Sequence, residues 1–172
     1  MDIREVKIED APRLLEIYSY YVEKTAISFE IITPSTEDFQ SRIENITKKY
    51  PYLVIEDDGM ILGYAYAGPF HARAAYDRSC ELSIYVDKNA RGRGLGRKLY
   101  EALEEDLKAR GILNLYACIS DPVSCDEYLT KDSEGFHSHL GFCKVGQFHK
   151  CGYKFGRWYN MIYMEKIIGK HT

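Results

Sequence analysis

The sequence lacks three features that would place it in other classes of protein. No run of apolar residues approaches the length of a transmembrane span, and the first residues, 1–5, contain no apolar signal core. The five cysteines form no C-x-x-C pair and their number is odd, which favours reduced thiols in a cytoplasmic protein over a disulfide framework. A formal net charge of −3 argues against the broad basic surface of a nucleic-acid-binding protein. We therefore expect neither a membrane nor a nucleic-acid partner.

The composition favours one folded domain. Apolar residues make up 45% of the 172 residues and aromatic residues 13%, which is enough to build a core. The length suits one domain and is short for two. No repeat, low-complexity tract or linker interrupts the chain. The sequence thus predicts a single domain over residues 1–172.

One segment combines a buried strand, a glycine-rich turn and a helix. Residues 80–86 form an apolar run of β-branched and aromatic residues, with one carboxylate, Glu81, near its start. Three alternate glycines and three arginines follow within 91–97, directly before a helical repeat of leucines. Glycines let successive backbone N–H groups converge, and the first helical turn adds unpaired N–H groups and a positive dipole end. The segment therefore predicts a cradle for a phosphate or pyrophosphate.

The spacing within this turn shows which of the known phosphate-binding motifs it matches. A P-loop ends in Gly-Lys-Ser/Thr, but Gly96 is followed by Arg-Lys-Leu, so no hydroxyl is available for a metal ion. A dinucleotide-binding G-x-G-x-x-G turn has its third glycine one position later and lies early in its domain. The pattern Arg91-x-x-Gly94-x-Gly96 instead resembles the acetyl-CoA pyrophosphate loop of the GCN5-related N-acetyltransferases (GNAT).

Periodicity along the whole chain predicts the element order β-α-α-β-β-β-α-β-α-β-β, a mixed α/β sheet with helices on both faces. The predicted strands are 3–8, 52–56, 60–67, 80–86, 115–119, 142–148 and 158–164, and the predicted helices are 14–22, 35–50, 95–107 and 132–140. This order also resembles the GNAT fold, which implies a twisted mixed sheet of about seven strands flanked by about four helices.

Further segments resemble one GNAT subfamily, the phosphinothricin N-acetyltransferases. The resemblance covers nearly the whole chain; the Gly141-Phe142 pair resembles the superfamily, and residues 50–54, 64–70, 72–77 and 152–158 resemble the subfamily. It implies acetyl transfer from acetyl-CoA to the α-amino group of phosphinothricin, methionine sulfoximine or a related amino acid. It also implies a homodimer and no metal. The cofactor-binding residues that it implies are Ile84, Tyr85, Val86, Arg91, Gly92, Arg93, Gly94, Leu95, Gly96, Arg97 and Ser133.

Glu81 is the candidate general base. An α-ammonium is largely protonated at neutral pH, so a group must accept a proton as the amine attacks the thioester. Glu81 lies on the strand before the cradle, at the position of the subfamily's proposed catalytic glutamate. The alternative is a carboxylate that pairs with Arg73 or Arg78 and only organises the pocket. In this superfamily a backbone N–H of the same strand stabilises the oxyanion, which implies main-chain rather than side-chain roles for residues 84–86.

His137 is the candidate acid for the leaving thiolate. Many relatives have a tyrosine four residues before the Gly-Phe pair, whereas the phosphinothricin subfamily and this chain have a histidine there. Histidine titrates near neutrality, so it suits an acid or a hydrogen-bonding group in the pocket. A core or surface histidine without a catalytic role is the alternative.

An anionic amino acid calls for a forked donor in the acceptor pocket. Arg73, with Tyr76 and Arg78, lies on the loop before the Glu81 strand and is the candidate. Phe29 is a candidate apolar wall or a core residue. Relatives usually have an asparagine three residues before Ser133; Thr130 stands there, and the loop 121–131 looks lengthened, so the acceptor is expected to differ in detail.

Three other functions compete with this one. A zinc module would use His137, His139, Cys143, His149 and Cys151, but residues two apart on a helix point to nearly opposite sides, and two ligands on a strand do not close a site. A non-catalytic acetyl-CoA sensor would bind the cofactor without acetylating any amine. An acetyltransferase of protein N-termini or lysines would keep the chemistry and change the acceptor.

Overall fold

The computed structural model describes residues 1–172, and its elements follow the order predicted from the sequence. The strands are β1 (Asp2–Glu5), β2 (Tyr52–Asp57), β3 (Met60–Pro69), β4 (Ser79–Val86), β5 (Asn114–Pro122), β6 (Cys143–Lys154) and β7 (Arg157–Ile167). The helices are α1 (Ala11–Lys24), α2 (Thr36–Thr47), α3 (Leu95–Ala109) and α4 (Asp132–His139). The predicted fold of about seven strands and four helices is confirmed.

Local sequence signals account for where the helices begin and which face they bury. Ser35 precedes α2, and its hydroxyl oxygen accepts a hydrogen bond from the Asp38 N–H at 3.1 Å. The leucines of α3 recur every fourth residue and all four are buried, at Leu95, Leu99, Leu103 and Leu107. The apolar stripe of α3 therefore fixes this helix against the sheet, with its N-terminus at the glycine turn.

The sheet contains one parallel pair, and that pair is short. The strand order is β1-β2-β3-β4-β5-β7-β6, and every neighbouring pair is antiparallel except β4 with β5. The β4–β5 pairing covers only Ser79–Asn114, Cys80–Leu115 and Glu81–Tyr116. Beyond Glu81, β4 stays paired with β3 as far as Val86 but has no partner on its other edge. The two strands part there, and main-chain groups of β4 become available inside the fold.

Alternate residues of β4 face two different halves of the core. Cys80 and Leu82 belong to the apolar cluster beneath α3, and Ile84 and Val86 pack against its edge. Tyr85 packs on the other side, in the cluster formed with α1 and α2. Because successive side chains in a strand point to opposite faces, Glu81 lies on the α1/α2 side of the sheet.

The β6 strand is longer and less regular than the sequence predicts. The periodicity places its end at Phe148, followed by a connection through two glycines, whereas β6 continues to Lys154. Its pairing with β7 jumps between Phe148 and Gly152. Lys150 has a positive φ of 50° there, and its N–H donates to the Asn160 side chain at 2.9 Å. The bulge interrupts the alternation on which the prediction depended.

Candidate active site

The glycine turn adopts the conformation that its composition predicts. Gly92 and Gly94 have φ values of 76° and 73°, which lie in the left-handed region that L side chains rarely adopt. Gly94 is the residue that precedes α3, and a Cβ at either glycine would meet nothing within 4 Å. The first N–H groups of α3 thus open onto empty space at the positive end of the helix dipole.

A cleft begins at this turn and runs between the free edge of β4 and α4. Its volume is about 490 Å³. Its lining contains nine of the predicted cofactor-binding residues, which are Ile84, Val86, Arg91, Gly92, Gly94, Leu95, Gly96, Arg97 and Ser133. The structure therefore brings together most of the residues that the sequence assigned to acetyl-CoA. The donors present (backbone N–H groups, two guanidinium groups and a hydroxyl) fit a diphosphate.

Two aromatic side chains that the sequence analysis missed shape the same cleft. Phe136 on α4 lies so close to the turn that a Cβ at Gly96 would come within 3.0 Å of its ring. Tyr21 on α1 donates its hydroxyl hydrogen bond to the Val86 carbonyl, on the unpaired part of β4. The Arg91 guanidinium lies 5.2 Å from the centre of the Tyr21 ring. Neither aromatic residue belongs to a motif that marks the cleft, so their position could not be predicted from the sequence.

The side chains of two predicted cofactor-binding residues lie outside the cleft lining. Arg93 forms an ion pair with Asp57 at 3.1 Å. The Tyr85 ring packs edge-on against Tyr18 and Tyr21, with centroid distances of 4.8 and 5.2 Å. The Tyr85 side chain thus faces away from the cleft, which leaves its main chain as the only part available for the predicted role.

The Glu81 carboxylate is half-buried and has no hydrogen-bonding or ionic partner among the side chains. The ion pairs of the structure include none between Glu81 and Arg73 or Arg78, so the alternative of a paired, organising carboxylate is not what the structure contains. Burial raises the pKa of Glu81, and the positive charge of the nearby His71 partly opposes that rise. A carboxylate of this kind suits proton transfer near neutral pH.

Open space adjoins Glu81 on its own face of the sheet. Its partner on β3 is Gly68, and a Cβ built on Gly68 would meet nothing within 4 Å. Its partner on β5 is Tyr116, whose ring stacks on Phe70 at 4.0 Å. A small acceptor therefore has room beside the carboxylate, between a glycine and an aromatic wall.

The loop between β3 and β4 forms the rim of this space. The His71 ring lies 4.2 Å from that of Phe70 and 4.9 Å from that of Tyr76, measured between centroids. Arg73 is exposed, and its side chain forms no hydrogen bond or ion pair within the chain. The predicted substrate residues Arg73 and Tyr76 thus belong to the loop that reaches the Glu81 side of the sheet. His71, Phe70 and Tyr116 were missed as site residues.

Two other predicted substrate residues have different surroundings. Arg78 approaches the Gly111 carbonyl at 3.4 Å, at the C-terminal end of α3, rather than Glu81. Phe29 packs against the β6–β7 hairpin; a Cβ at Gly152 would overlap its ring, and its centroid is 6.2 Å from that of Tyr159. Phe29 still exposes 37% of its surface, so it is not a fully buried core residue, and its role as an apolar wall stays a prediction.

His137 is buried, with 4% of its surface exposed, and both of its ring nitrogens are engaged. Nδ1 lies 2.7 Å from the Ser133 carbonyl oxygen, and Nε2 lies 3.0 Å from the Tyr100 hydroxyl. A carbonyl only accepts, so Nδ1 carries the hydrogen and Tyr100 donates to Nε2 in the neutral ring. Burial lowers the pKa of His137, which favours this neutral form. For His137 to protonate the leaving thiolate directly, one of its two hydrogen bonds would have to break.

The connection between β5 and α4 is bonded to the rest of the molecule at its middle; it begins at residue 123 rather than 121, because β5 continues to Pro122. Asp126 forms an ion pair with Arg157 of β7 at 2.9 Å and accepts the Tyr128 N–H at 2.7 Å. The Tyr128 carbonyl in turn accepts the Ala26 N–H at 3.0 Å, on the connection between α1 and α2. Thr130 reaches the cleft beside Ser133. The loop therefore contributes to the cleft and to the support of the acceptor side.

The residues of the competing zinc module do not converge. No group of three or more histidine, cysteine, aspartate or glutamate side chains is arranged to hold a metal ion. All five cysteines are unpaired, and only Cys80 is buried.

None of the helices has the length and apolarity needed to cross a membrane.

Comparison with known proteins agrees with this geometry. The family model described as the acetyltransferase (GNAT) domain matches residues 3–163. The L-methionine sulfoximine/L-methionine sulfone acetyltransferase of Pseudomonas aeruginosa is 32% identical over 95% of this chain and 92% of its own.

Two solved structures share the fold throughout. A GNAT superfamily phosphinothricin acetyltransferase from Sinorhizobium meliloti, in complex with AcCoA, has a TM-score of 0.89 and 32% identity, over 98% of this chain and 88% of that one. A ribosomal-protein-alanine N-acetyltransferase from Brucella melitensis has a TM-score of 0.89 and 36% identity, over 98% of this chain and 100% of that one. The chain belongs to the GNAT acetyltransferase family, among homologues of the phosphinothricin N-acetyltransferases.

Proposed function

We propose that residues 1–172 form one GNAT domain that transfers the acetyl group of acetyl-CoA to the α-amine of a small amino acid of the phosphinothricin or methionine sulfoximine type. The observation that carries this proposal is the half-buried, unpaired Glu81 carboxylate beside open space, where β4 and β5 part. The names of the similar enzymes from P. aeruginosa and S. meliloti support the acceptor class.

In the proposed mechanism, Glu81 accepts a proton from the acceptor nitrogen as that nitrogen attacks the thioester carbonyl. Its raised pKa makes it a stronger base than an ordinary carboxylate. Its side chain lies on the acceptor face of the sheet, whereas Ile84 and Val86 line the cofactor cleft. The parted strands would let the amine and the thioester meet from the two sides.

The cofactor is held by the main chain in this proposal. Backbone N–H groups around Gly92, Gly94 and Gly96 would bind the diphosphate, with Arg91 and Arg97 adding charge. Main-chain groups on the edge of β4 that β5 leaves free, within residues 84–86, would contact the pantetheine arm and the thioester carbonyl, where an N–H stabilises the oxyanion. The Val86 carbonyl on this edge already accepts the Tyr21 hydroxyl. When bound, acetyl-CoA supplies the activated acyl carbon.

The acceptor would be oriented by the rim loop. Arg73 is a forked cation without an internal partner, which suits a carboxylate, and Tyr76 lies in the same loop. Phe29 would form part of an apolar wall. The acid role of His137 stays a prediction, and its contacts with Ser133 and Tyr100 suggest a role in positioning the start of α4.

We also propose that the protein works as a cytoplasmic homodimer. Several large apolar side chains on the β6–β7 hairpin are exposed, including Phe148 and Trp158 at 54% each. The unpaired thiols are consistent with a reducing compartment. Light scattering after size-exclusion chromatography would test the assembly, and a monomer at micromolar concentration would contradict the proposed dimer.

A second candidate acceptor is the N-terminal alanine of a protein. The similarity to the B. melitensis enzyme, at 36% identity, specifically favours it. Both acceptors present an α-amine, but only the free amino acid presents a carboxylate two bonds from that amine. Arg73 therefore favours the free amino acid.

The experiment that tests the proposal is an acetyl-CoA consumption assay over amino acids, their phosphinic and sulfoximine analogues, and peptides that begin with alanine. We expect turnover with the amino-acid analogues and little with the peptides. Turnover with the peptides alone would favour the N-terminal alanine of a protein as the acceptor. Turnover with none of these compounds would overturn both proposals.

A further inference from the structure

The proposed reaction removes two protons from one nitrogen. An α-ammonium has three N–H bonds, and the amide product keeps one. One proton leaves before the lone pair attacks, and the other leaves as the C–N bond forms and the C–S bond breaks. The thiolate can take back only one of them. Because a single carboxylate holds one proton at a time, Glu81 alone does not account for both transfers.

A second titratable side chain stands at the rim of the acceptor space. His71 follows Phe70, whose ring stacks on Tyr116, the direct β5 neighbour of Glu81. The His71 ring packs against two aromatic rings, 4.2 Å from Phe70 and 4.9 Å from Tyr76, and these two lie 5.8 Å from each other, so the three rings form one cluster. It is exposed, so it can exchange a proton with solvent.

We propose that His71 is the second proton acceptor, a catalytic residue that deprotonates the incoming α-ammonium before Glu81 acts. This inference rests on the proposed function. The ammonium N–H bond breaks first, and its proton passes to a neutral ring nitrogen of His71. The freed lone pair then forms the C–N bond, and the thioester π pair moves to oxygen. Glu81 takes the second proton as the C–N bond forms, and on collapse the carbonyl re-forms and the C–S pair leaves with sulfur.

The charges around His71 are consistent with this order. The positive charge of a protonated His71 lowers the pKa of Glu81 against the effect of burial. The other titratable groups of its own loop are Arg73, Tyr76, Asp77 and Arg78; Asp77 pairs with Lys49 and Arg78 approaches the Gly111 carbonyl. Tyr116 on β5 stacks on Phe70. After these steps one proton is on His71, at the solvent side, and the other is on Glu81. The proton on Glu81 can then pass to the thiolate.

The test compares two nucleophiles in wild type, His71→Ala and His71→Phe. Methionine sulfoximine presents an ammonium at pH 7, whereas aminooxyacetate presents a nitrogen that is already neutral and keeps the carboxylate. We expect kcat/KM for methionine sulfoximine to fall by on the order of 10- to 100-fold in both variants, within the range of general acid–base catalysis. We expect kcat/KM for aminooxyacetate to change by less than about 3-fold, because that nitrogen has no first proton to lose.

His71→Phe separates chemistry from packing, because it keeps an aromatic ring in contact with Phe70 and Tyr76. His149→Gln, an exposed histidine on the bulge of β6, is the matched control and should match the wild type. Imidazole added to His71→Ala should restore part of the lost rate with methionine sulfoximine. Equal losses with both nucleophiles, or full activity in His71→Phe, would overturn the proposal. A wild type that acetylates neither compound contradicts the proposed function itself, and the inference with it.

Discussion

At the scale of single residues, the candidate site contains a carboxylate whose surroundings are unfavourable for its charged form. Glu81 has no ionic partner and burial raises its pKa. A structural carboxylate of similar burial normally has a hydrogen-bonded or ionic partner, as Asp126 has in Arg157. Glu81 therefore resembles a group retained for chemistry at a cost in stability.

The first expectation is that Glu81→Gln stabilises the fold. A folded-state pKa above the unfolded value means that the protein loses stability as pH rises through the folded-state pKa. At pH 7 the variant should be more stable than the wild type, by less than about 1 kcal/mol because solvent screens the carboxylate. Thermal unfolding should show a higher Tm for the variant at pH 7 and no difference below about pH 4, where both states bind the proton. A lower Tm at pH 7 would contradict this account.

The second expectation concerns Arg73. Since its guanidinium has no internal partner, Arg73→Ala should leave the Tm within about 1 °C, as is usual for an exposed site. It should raise KM for anionic amino acids by on the order of 10-fold, through loss of a charge-assisted hydrogen bond, with less effect on neutral amines. Arg73→Lys keeps the positive charge but loses the forked guanidinium. Its KM for anionic amino acids should lie between those of the wild type and Arg73→Ala. Equal KM changes for charged and neutral acceptors would reject the carboxylate-binding role.

At the scale of elements, the glycine turn was predictable and the strand separation beside it was not. Alternating glycines before a leucine repeat indicate a left-handed turn at a helix start, because only glycine adopts φ near 73° without strain. The end of the β4–β5 pairing depends on long-range twist, which no local pattern of Leu82–Val86 encodes. For the same reason, Tyr21 could not be assigned to the cleft, because its hydrogen bond to Val86, a contact between distant elements, places it there.

The third expectation is that Gly94→Val abolishes acetyl-CoA binding by calorimetry. A β-branched residue at φ 73° is strained and its side chain fills the cradle. Gly59→Val is the matched control, since Gly59 also has a positive φ, 77°, with open space around it, in the β2–β3 turn. Both variants should lose roughly 1–3 kcal/mol of stability. Only Gly94→Val should lose the ligand, and retained binding in that variant would contradict the cradle.

At the scale of the whole molecule, the sheet separates two tasks. The α3/α4 side contains the cleft for the cofactor, and the α1/α2 side contains Glu81 and the rim loop. The sequence allowed the element order and the family resemblance to be inferred, because both rest on local periodicity and short motifs. The positions of Arg78 and Phe29 relative to the two faces of the sheet could not be predicted, because their contacts depend on how loops pack.

The measurement that tests the central claim most directly is a paired one on wild type and Glu81→Gln. It determines kcat for methionine sulfoximine by acetyl-CoA consumption and Kd for acetyl-CoA by calorimetry in the same preparations. Because Glu81 lies across the sheet from the cofactor cleft, we expect Kd to change by less than about 3-fold while kcat falls by about 100-fold or more. A variant that turns over at the wild-type rate would contradict the account.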